Sequence, residues 1–246
     1  MSDKLERVAS LLENSRYAIA FTGAGISVES GIPPFRGENG IWNKYDPKVL
    51  DIDYFFQKPE VAWMAIKEIF YEFFGKAIPN EAHLFLANAE RKGWIKSVVT
   101  QNIDNLHQLA GSKEVYEFHG NAQKLVCTQC HFHSAVSEQT FDVLPVLCPE
   151  CHSLMKPDFV FFGEGIPQMA YDKSMEAARQ TDLVIVVGAL GEVMPAAMIP
   201  LEAKRNGATI VEINPEPTNF TKQITDIHIS GKAGEVFKSL SGLMNI

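Results

Sequence analysis

The sequence predicts an open α/β fold of the doubly wound type, on three observations. Short apolar runs rich in β-formers recur between helical patterns, the first run ends in a glycine turn, and two segments interrupt the alternation. The runs are Ala18 to Phe21, Ser97 to Thr100, Leu183 to Val187 and Thr209 to Ile213. Each is nearly continuous in hydrophobicity, as parallel strands covered on both faces should be. Leu5, Val8, Ala9 and Leu12 repeat at helical spacing among charged residues, predicting an N-terminal surface helix rather than a signal peptide. Asn80 is placed to cap a helix that runs to Lys92 and stops at Gly93. Another helix is expected from about Ala196 to Asn206, before Gly207. Ligands of such sheets lie at the carboxyl ends of the strands, where the glycine turn, Thr100 to Asp104, Gly188 and Asn214 all fall.

The interrupting segments are residues 33–75, dense in aromatics, and residues 121–157, which hold all four cysteines. They are expected to form a small inserted lobe with a helical part and a cysteine-bearing part. Residues 1–32, 76–120 and 158–246 are left for the Rossmann-like sheet domain. At 246 residues, 46% hydrophobic and 21% charged, the chain can bury one large core with such an insert. A net charge of −8 gives no broad field for nucleic acid and suits lysine-rich peptides instead. No apolar run approaches the roughly 18 residues of a membrane helix. No membrane partner is therefore expected, and the expected compartment is the reducing cytoplasm.

Cys127 and Cys130 form one CxxC and Cys148 and Cys151 another. Each pair places two thiolates on one tight turn, and two such turns match the zinc-ribbon pattern. Disulfides are disfavoured in a reducing compartment. Four thiolates would close the coordination shell, so the expected zinc is structural. His131, His133 and His152 stand beside the cysteines and are read as surface residues.

The glycine turn Gly23, Ala24, Gly25, Ile26, Ser27 follows the first strand, where backbone N–H groups can approach a phosphate. Then come Ile32-Pro-Pro-Phe-Arg36, Thr100-Gln-Asn-Ile-Asp104, Phe118-His-Gly120, the paired CxxC motifs and Phe161-Phe-Gly-Glu164. In this order and combination, from Thr22 to about Val236, the chain resembles the sirtuin family of NAD-dependent protein lysine deacylases. The resemblance implies that Gly23 to Ser27 underlie the NAD pyrophosphate, with Arg36 adding a charge-assisted contact, while Phe35 covers the nicotinamide end. It implies that Gln101 and Asn102 meet ribose hydroxyls, Asn102 also holding a water. Ile103 and Asp104 would grip the nicotinamide carboxamide. Gly188 would line the phosphates, Asn214 the adenosine ribose, and Lys232 and Ala233 the adenine side. His119 is implied as the catalytic base, for which an imidazole with an ordinary pKa near 6.5 is suited. Val160, Phe161, Phe162, Gly163 and Glu164, opposite Gly191, Glu192 and Val193, would clamp an extended acyl-lysine peptide by strand addition. The expected products are free lysine, nicotinamide and O-acyl-ADP-ribose.

Two departures stand out against this resemblance. Pro34 occupies a position where the family usually has Asp. Ala189 and Leu190 follow Gly188 where family members typically carry two hydroxyl residues, and neither side chain can donate a hydrogen bond to a phosphate. Weaker NAD binding than in relatives is expected. Relatives that favour acidic acyl groups carry a Tyr and an Arg three residues apart on the small-lobe helix. Residues 65–74 here offer only Lys67 as a cation, with Tyr71, so uncharged acyl groups are expected, acetyl first. The competing readings are an ADP-ribosyltransferase or NAD glycohydrolase, and a non-catalytic NAD- or acyl-lysine-binding module. A dehydrogenase is disfavoured, since no acidic residue sits cleanly at a strand end about 20 residues past the glycine turn. The physiological target proteins and the oligomeric state are left open.

Overall fold

Six parallel strands form the central sheet of the computed structural model, which describes residues 2–35, 40–72 and 76–246. In chain order they are β1 (Ala18–Thr22), β2 (Ile95–Thr100), β3 (Val115–Glu117), β7 (Leu183–Val187), β8 (Thr209–Asn214) and β9 (Ile227–Ser230). Their spatial order is β3-β2-β1-β7-β8-β9, so the chain reverses direction across the sheet between β1 and β7. That reversal makes the β1/β7 junction the switch point at which such sheets bind ligands. The four expected strands are present. The short strands β3 and β9 were not foreseen.

Period-two alternation divides the sheet's side chains between two cores. Ala18, Ala20, Leu183, Ile185 and Val187 pack against α1 (Ser2–Asn14), α4 (Glu81–Arg91) and α9 (Ala233–Met244). Ile19, Phe21, Val184 and Val186 face α6 (Gln168–Gln180) and α7 (Met198–Arg205). Both faces are therefore covered, which accounts for the unbroken hydrophobicity of the strands. Asn80 caps α4, its side chain accepting from Ala82 N at 3.0 Å, and Gly93 follows in the left-handed region.

A second, three-stranded antiparallel sheet has the order β5 (His133–Ala135), β4 (Gly120–Cys127), β6 (Met155–Phe159). It shares one apolar core with α2 (Ile52–Gln57) and α3 (Pro59–Ile66), centred on Phe55, Trp63, Phe70, Leu125 and Phe161. Two buried groups tie the helical segment to this sheet. Trp63 Nε1 donates to Met155 O at 3.0 Å, and the Tyr71 hydroxyl donates to Ala122 O at 2.8 Å.

Candidate active site

Every loop that leaves the carboxyl edge of the parallel sheet carries a residue singled out from the sequence. The turn after β1 lies backbone to backbone on the turn after β7. Gly23 N–H donates to Val187 O at 3.0 Å and Gly25 N–H to Gly188 O at 2.9 Å. A Cβ on Gly25 would stand 2.6 Å from Gly188 Cα, and one on Gly188, whose φ is +59°, would stand 2.4 Å from Ile26 N. These glycines are demanded by the contact between the two turns. The segment opened at Gly23 is a 3₁₀ helix over Ala24–Ser30, not an α-helix, and Gly23 caps it without a side chain. Seven residues of 3₁₀ geometry expose N–H groups at the turn but build no long macrodipole.

The β2 loop closes onto this turn through buried polar side chains. Asn102 Nδ2 donates to Gly23 O at 3.2 Å and to Ser27 Oγ at 3.1 Å, and the Ser27 hydroxyl donates to Asp104 at 2.7 Å. Leu106 N–H adds a 3.0 Å bond to the same carboxylate. Burial raises Asp104 above the ordinary carboxylate range, against the opposing pull of the Leu106, Ser27 and Asn102 bonds. Ile103 is buried, and its carbonyl accepts from Ala122 N–H at 2.9 Å, anchoring the loop to the small lobe.

His119 follows β3. Its Nδ1 lies 3.1 Å from Gln101 O, and since a carbonyl only accepts, Nδ1 carries the proton and Nε2 the lone pair. Burial lowers this imidazole below its ordinary value, partly offset by the Gln101 carbonyl. A neutral imidazole with a free lone pair can take a proton near neutral pH. The His119 carbonyl accepts from Val160 N–H at 2.9 Å, which joins the histidine to the segment that continues β6.

Within that segment the expected clamp residues divide. Phe161 is buried, stacked on Phe159 at 5.1 Å, with its N–H held by Glu164 at 2.8 Å. Its side chain therefore belongs to the small-lobe core. Phe162 is half exposed and exchanges backbone bonds with Leu50 and Ile52. Val160 and Glu164 are partly exposed, and Gly163 adopts φ +93°. Gly191 packs on the Phe220 ring, and Glu192 and Val193 are exposed beside it.

Asn214 ends β8 and reaches back to Ala189 O at 3.3 Å. Lys232 caps α9 and Ala233 begins it, the end of the helix being tied to the 3₁₀ segment by Gly234 N–H donating to Glu29 at 2.6 Å. Phe35 lies against Trp42 and Phe70, with ring centroids 5.5 and 6.2 Å away. Arg36 lies outside the described residues.

The sequence reading missed two buried charged side chains. Glu212, in β8, accepts bonds from Asn214, Thr218, Thr221 and Thr225. Lys156, in β6, donates to Pro157 O at 2.9 Å and Phe159 O at 2.8 Å, and pairs with Glu164 at 3.1 Å. For Glu212 the available signal was a lone charge inside an apolar run, which folding tolerates only with partners, whereas Lys156 shares its strand with Asp158.

The four cysteine sulfurs lie within 4.8 Å of one another, three pairs being 3.4, 3.5 and 3.6 Å apart. Tetrahedral zinc with Zn–S bonds of about 2.3 Å sets its sulfurs about 3.8 Å apart, so this donor set fits the ion. Gln129 and Cys130 N–H groups both donate to Cys127 Sγ at 3.4 Å, which favours a thiolate there. His131 and His152, each following the second cysteine of a pair, have φ of +58° and +59° and turn the chain away from the sulfurs. Four sulfurs close the shell, so this is a structural centre.

A family model described as the Sir2 family matches residues 23–195. The chain is 44% identical to an NAD-dependent protein deacylase of Pyrococcus furiosus, over 96% of each chain. It is 43% identical to NAD-dependent protein deacylase 2 of Archaeoglobus fulgidus, over 98% of this chain and 96% of that one. Among solved structures it resembles a Sir2 variant with a deacetylated p53 peptide and 3′-O-acetyl-ADP-ribose at TM-score 0.92, with 39% identity over 98% of this chain and 99% of the other. A Sir2 homologue in complex with NAD gives a TM-score of 0.90 at 39% identity, covering 98% and 93% of the two chains.

Proposed function

The chain belongs to the Sir2 family, and from that premise we infer that it is an NAD-dependent protein lysine deacylase that moves the acyl group of a lysine onto ADP-ribose. The observation that carries this reading is the join at His119. One backbone carbonyl, from Gln101, fixes its Nδ1 proton, and its own carbonyl holds Val160 of the clamp segment. A base and a peptide edge so connected can act on one substrate.

NAD supplies the electrophilic ribose carbon and the nicotinamide leaving group. The residues suited to hold it are those of the β1 and β7 turns, with Gln101, Asn102, Asp104 and Asn214 around the sugars and carboxamide. His119 Nε2 takes the proton from a ribose hydroxyl, and the desolvation that lowers its pKa keeps it unprotonated for that step. Phe35 and its aromatic neighbours Trp42 and Phe70 exclude water from the reacting carbon. The acidic surface favours lysine-bearing protein segments as the substrate, added as a strand along the Val160 to Glu164 edge. Lys67 sits over the Phe141 ring at 5.9 Å and the Tyr71 hydroxyl is spent on Ala122. The Tyr71 hydroxyl is thereby withdrawn from an acyl carboxylate, which supports a preference for uncharged acyl groups.

The test is incubation with NAD and an acetyl-lysine peptide, with products identified by mass spectrometry. O-acetyl-ADP-ribose and deacetylated peptide are expected, faster than from a succinylated peptide. His119→Ala should abolish deacylation while leaving some exchange of free nicotinamide into NAD. ADP-ribose without deacylation would mean a glycohydrolase, an ADP-ribosylated protein a transferase, and no turnover a binding module.

A further inference from the structure

The chain crosses from the parallel sheet to the small-lobe sheet in two residues, Phe118 and His119, between Glu117 at the end of β3 and Gly120 at the start of β4. Gly120 adopts φ +76°, and a Cβ there would stand 2.3 Å from Asp158 O, so this residue has no side chain with which to fasten the crossing. Side chains on either side of it do so instead. Asn121 is buried, and its Nδ2 donates to Glu117 and, at 3.0 Å, to Asn105 Oδ1. Its Oδ1 accepts from Gln123 N–H at 2.7 Å, so the amide is fixed in orientation and both of its hydrogens are committed. The same Glu117 oxygen accepts from Gln108 Nε2 at 2.7 Å, on α5 (Leu106–Ala110). Asn105, in the left-handed region at φ +65°, precedes that helix and directly follows Asp104. One amide thus bonds the end of β3 to the start of α5, and His119 lies inside the turn that the Glu117–Asn121 bond closes.

We propose that Glu117 and Asn121 are positioning residues that clasp the sheet-to-sheet crossing and so hold the His119 imidazole where its base step needs it. The inference rests on the reading of His119 as the base of a deacylase and extends it to what aims that base. The Nδ1 bond to Gln101 O sets the tautomer of the ring, whereas the place of the ring depends on the backbone that carries it. Phe118 N–H and the His119 carbonyl bind that backbone to opposite lobes, at Thr100 O and Val160 N–H, both at 2.9 Å. The Glu117–Asn121 bond ties these two attachments to each other across the turn. Its role is geometric: a shift of about 1 Å in a catalytic group can cost about a hundredfold in rate. Glu117 serves as an acceptor for two amides, and its pairing with Lys124 is a longer contact of 3.8 Å.

Two activities of the full chain test this: exchange of labelled nicotinamide into NAD, which does not need the base, and formation of O-acetyl-ADP-ribose, which does. Asn121→Ala, its milder counterpart Asn121→Ser, and Glu117→Ala should each raise the ratio of exchange to deacylation by about tenfold, with the KM for NAD within about threefold of wild type. Glu117→Gln keeps an acceptor oxygen in the same place and should hold the ratio within about threefold of wild type. A merely structural role would lower both activities together with the melting temperature and leave the ratio unmoved. An unmoved ratio in whichever alanine or serine variant folds would overturn the proposal. So would a shift in Glu117→Gln as large as in Glu117→Ala, since charge and not geometry would then be at work. Absence of O-acetyl-ADP-ribose from the wild type would instead overturn the deacylase reading on which the proposal rests.

Discussion

At the scale of single residues the site is governed by which atoms remain free once the fold has taken its share. His119 keeps one nitrogen, Asn214 one oxygen, and Gly23, Gly25 and Gly188 keep only backbone, because two turns meet where no Cβ fits. The same accounting bears on Ala189 and Leu190. Ala189 is buried against the glycine turn, whereas Leu190 is half exposed and leaves an edge at the switch point without a side-chain donor. Restoring hydroxyls with Ala189→Thr and Leu190→Ser should tighten NAD binding by roughly three- to tenfold, equivalent to about 0.5–1.5 kcal/mol for one recovered hydrogen bond. Calorimetry reads this directly. Unchanged affinity would mean that backbone N–H groups alone satisfy the phosphates here.

At the scale of elements, legibility followed patterning. The four core strands and the capped helix α4 could be read because burial on two faces and an Asn80 cap leave strong local signals. β3 and β9 could not: Val115–Glu117 is too short to display a period, and Ile227–Ser230 alternates only once before the chain turns. Of the site, the glycines, amides, histidine and cysteines were visible as motifs. Lys156 and Glu212 were not, because their partners are carbonyls and hydroxyls brought together by folding. Lys156 shows what such residues do for an element. Its ammonium spends three donors on Pro157 O, Phe159 O and Glu164, and stands 4.7 Å over the Phe161 ring. The turn from Phe159 to Glu164 is thus fastened from beneath, and its far side is the edge proposed for the peptide. Lys156→Met should cost about 2 kcal/mol of stability, since it strands one carboxylate and two carbonyls of which Glu164 can partly rehydrate. It should also raise the KM for acyl-lysine peptide by about tenfold while kcat and the KM for NAD stay within about threefold, the pattern of lost substrate positioning. Steady-state kinetics with each substrate varied in turn would read this. Equal rises in both KM values would assign Lys156 to the fold alone.

At the scale of the whole molecule, stability and the active site share one buried polar chain that crosses the switch-point side of the sheet. Asn80 N–H donates to His83 Nδ1 at 3.4 Å, the His83 and His107 rings lie 5.0 Å apart, and His107 Nε2 meets the Thr22 hydroxyl at 2.9 Å. Thr22 donates to Thr100 at 2.8 Å, and Thr100 accepts from Asn102 N–H at 3.0 Å. Protonating either imidazole would put a charge into this dry interior, and burial accordingly lowers His83 from 6.5 to about 4 and His107 well below its ordinary value. The folded state therefore binds fewer protons than the unfolded chain. The stability these groups contribute is complete above about pH 6.5 and drains away as pH falls toward about 4. For His83 alone the loss between pH 7 and pH 5 is about 2 kcal/mol, with His107 adding in the same direction. Urea unfolding at the two pH values would measure it, and His83→Asn should flatten the slope by about that amount while lowering stability at pH 7. The loosened chain ends at Asn102, so deacylation should fail in acid before global unfolding does. An identical pH slope in wild type and His83→Asn would place the acid-sensitive element elsewhere in the fold.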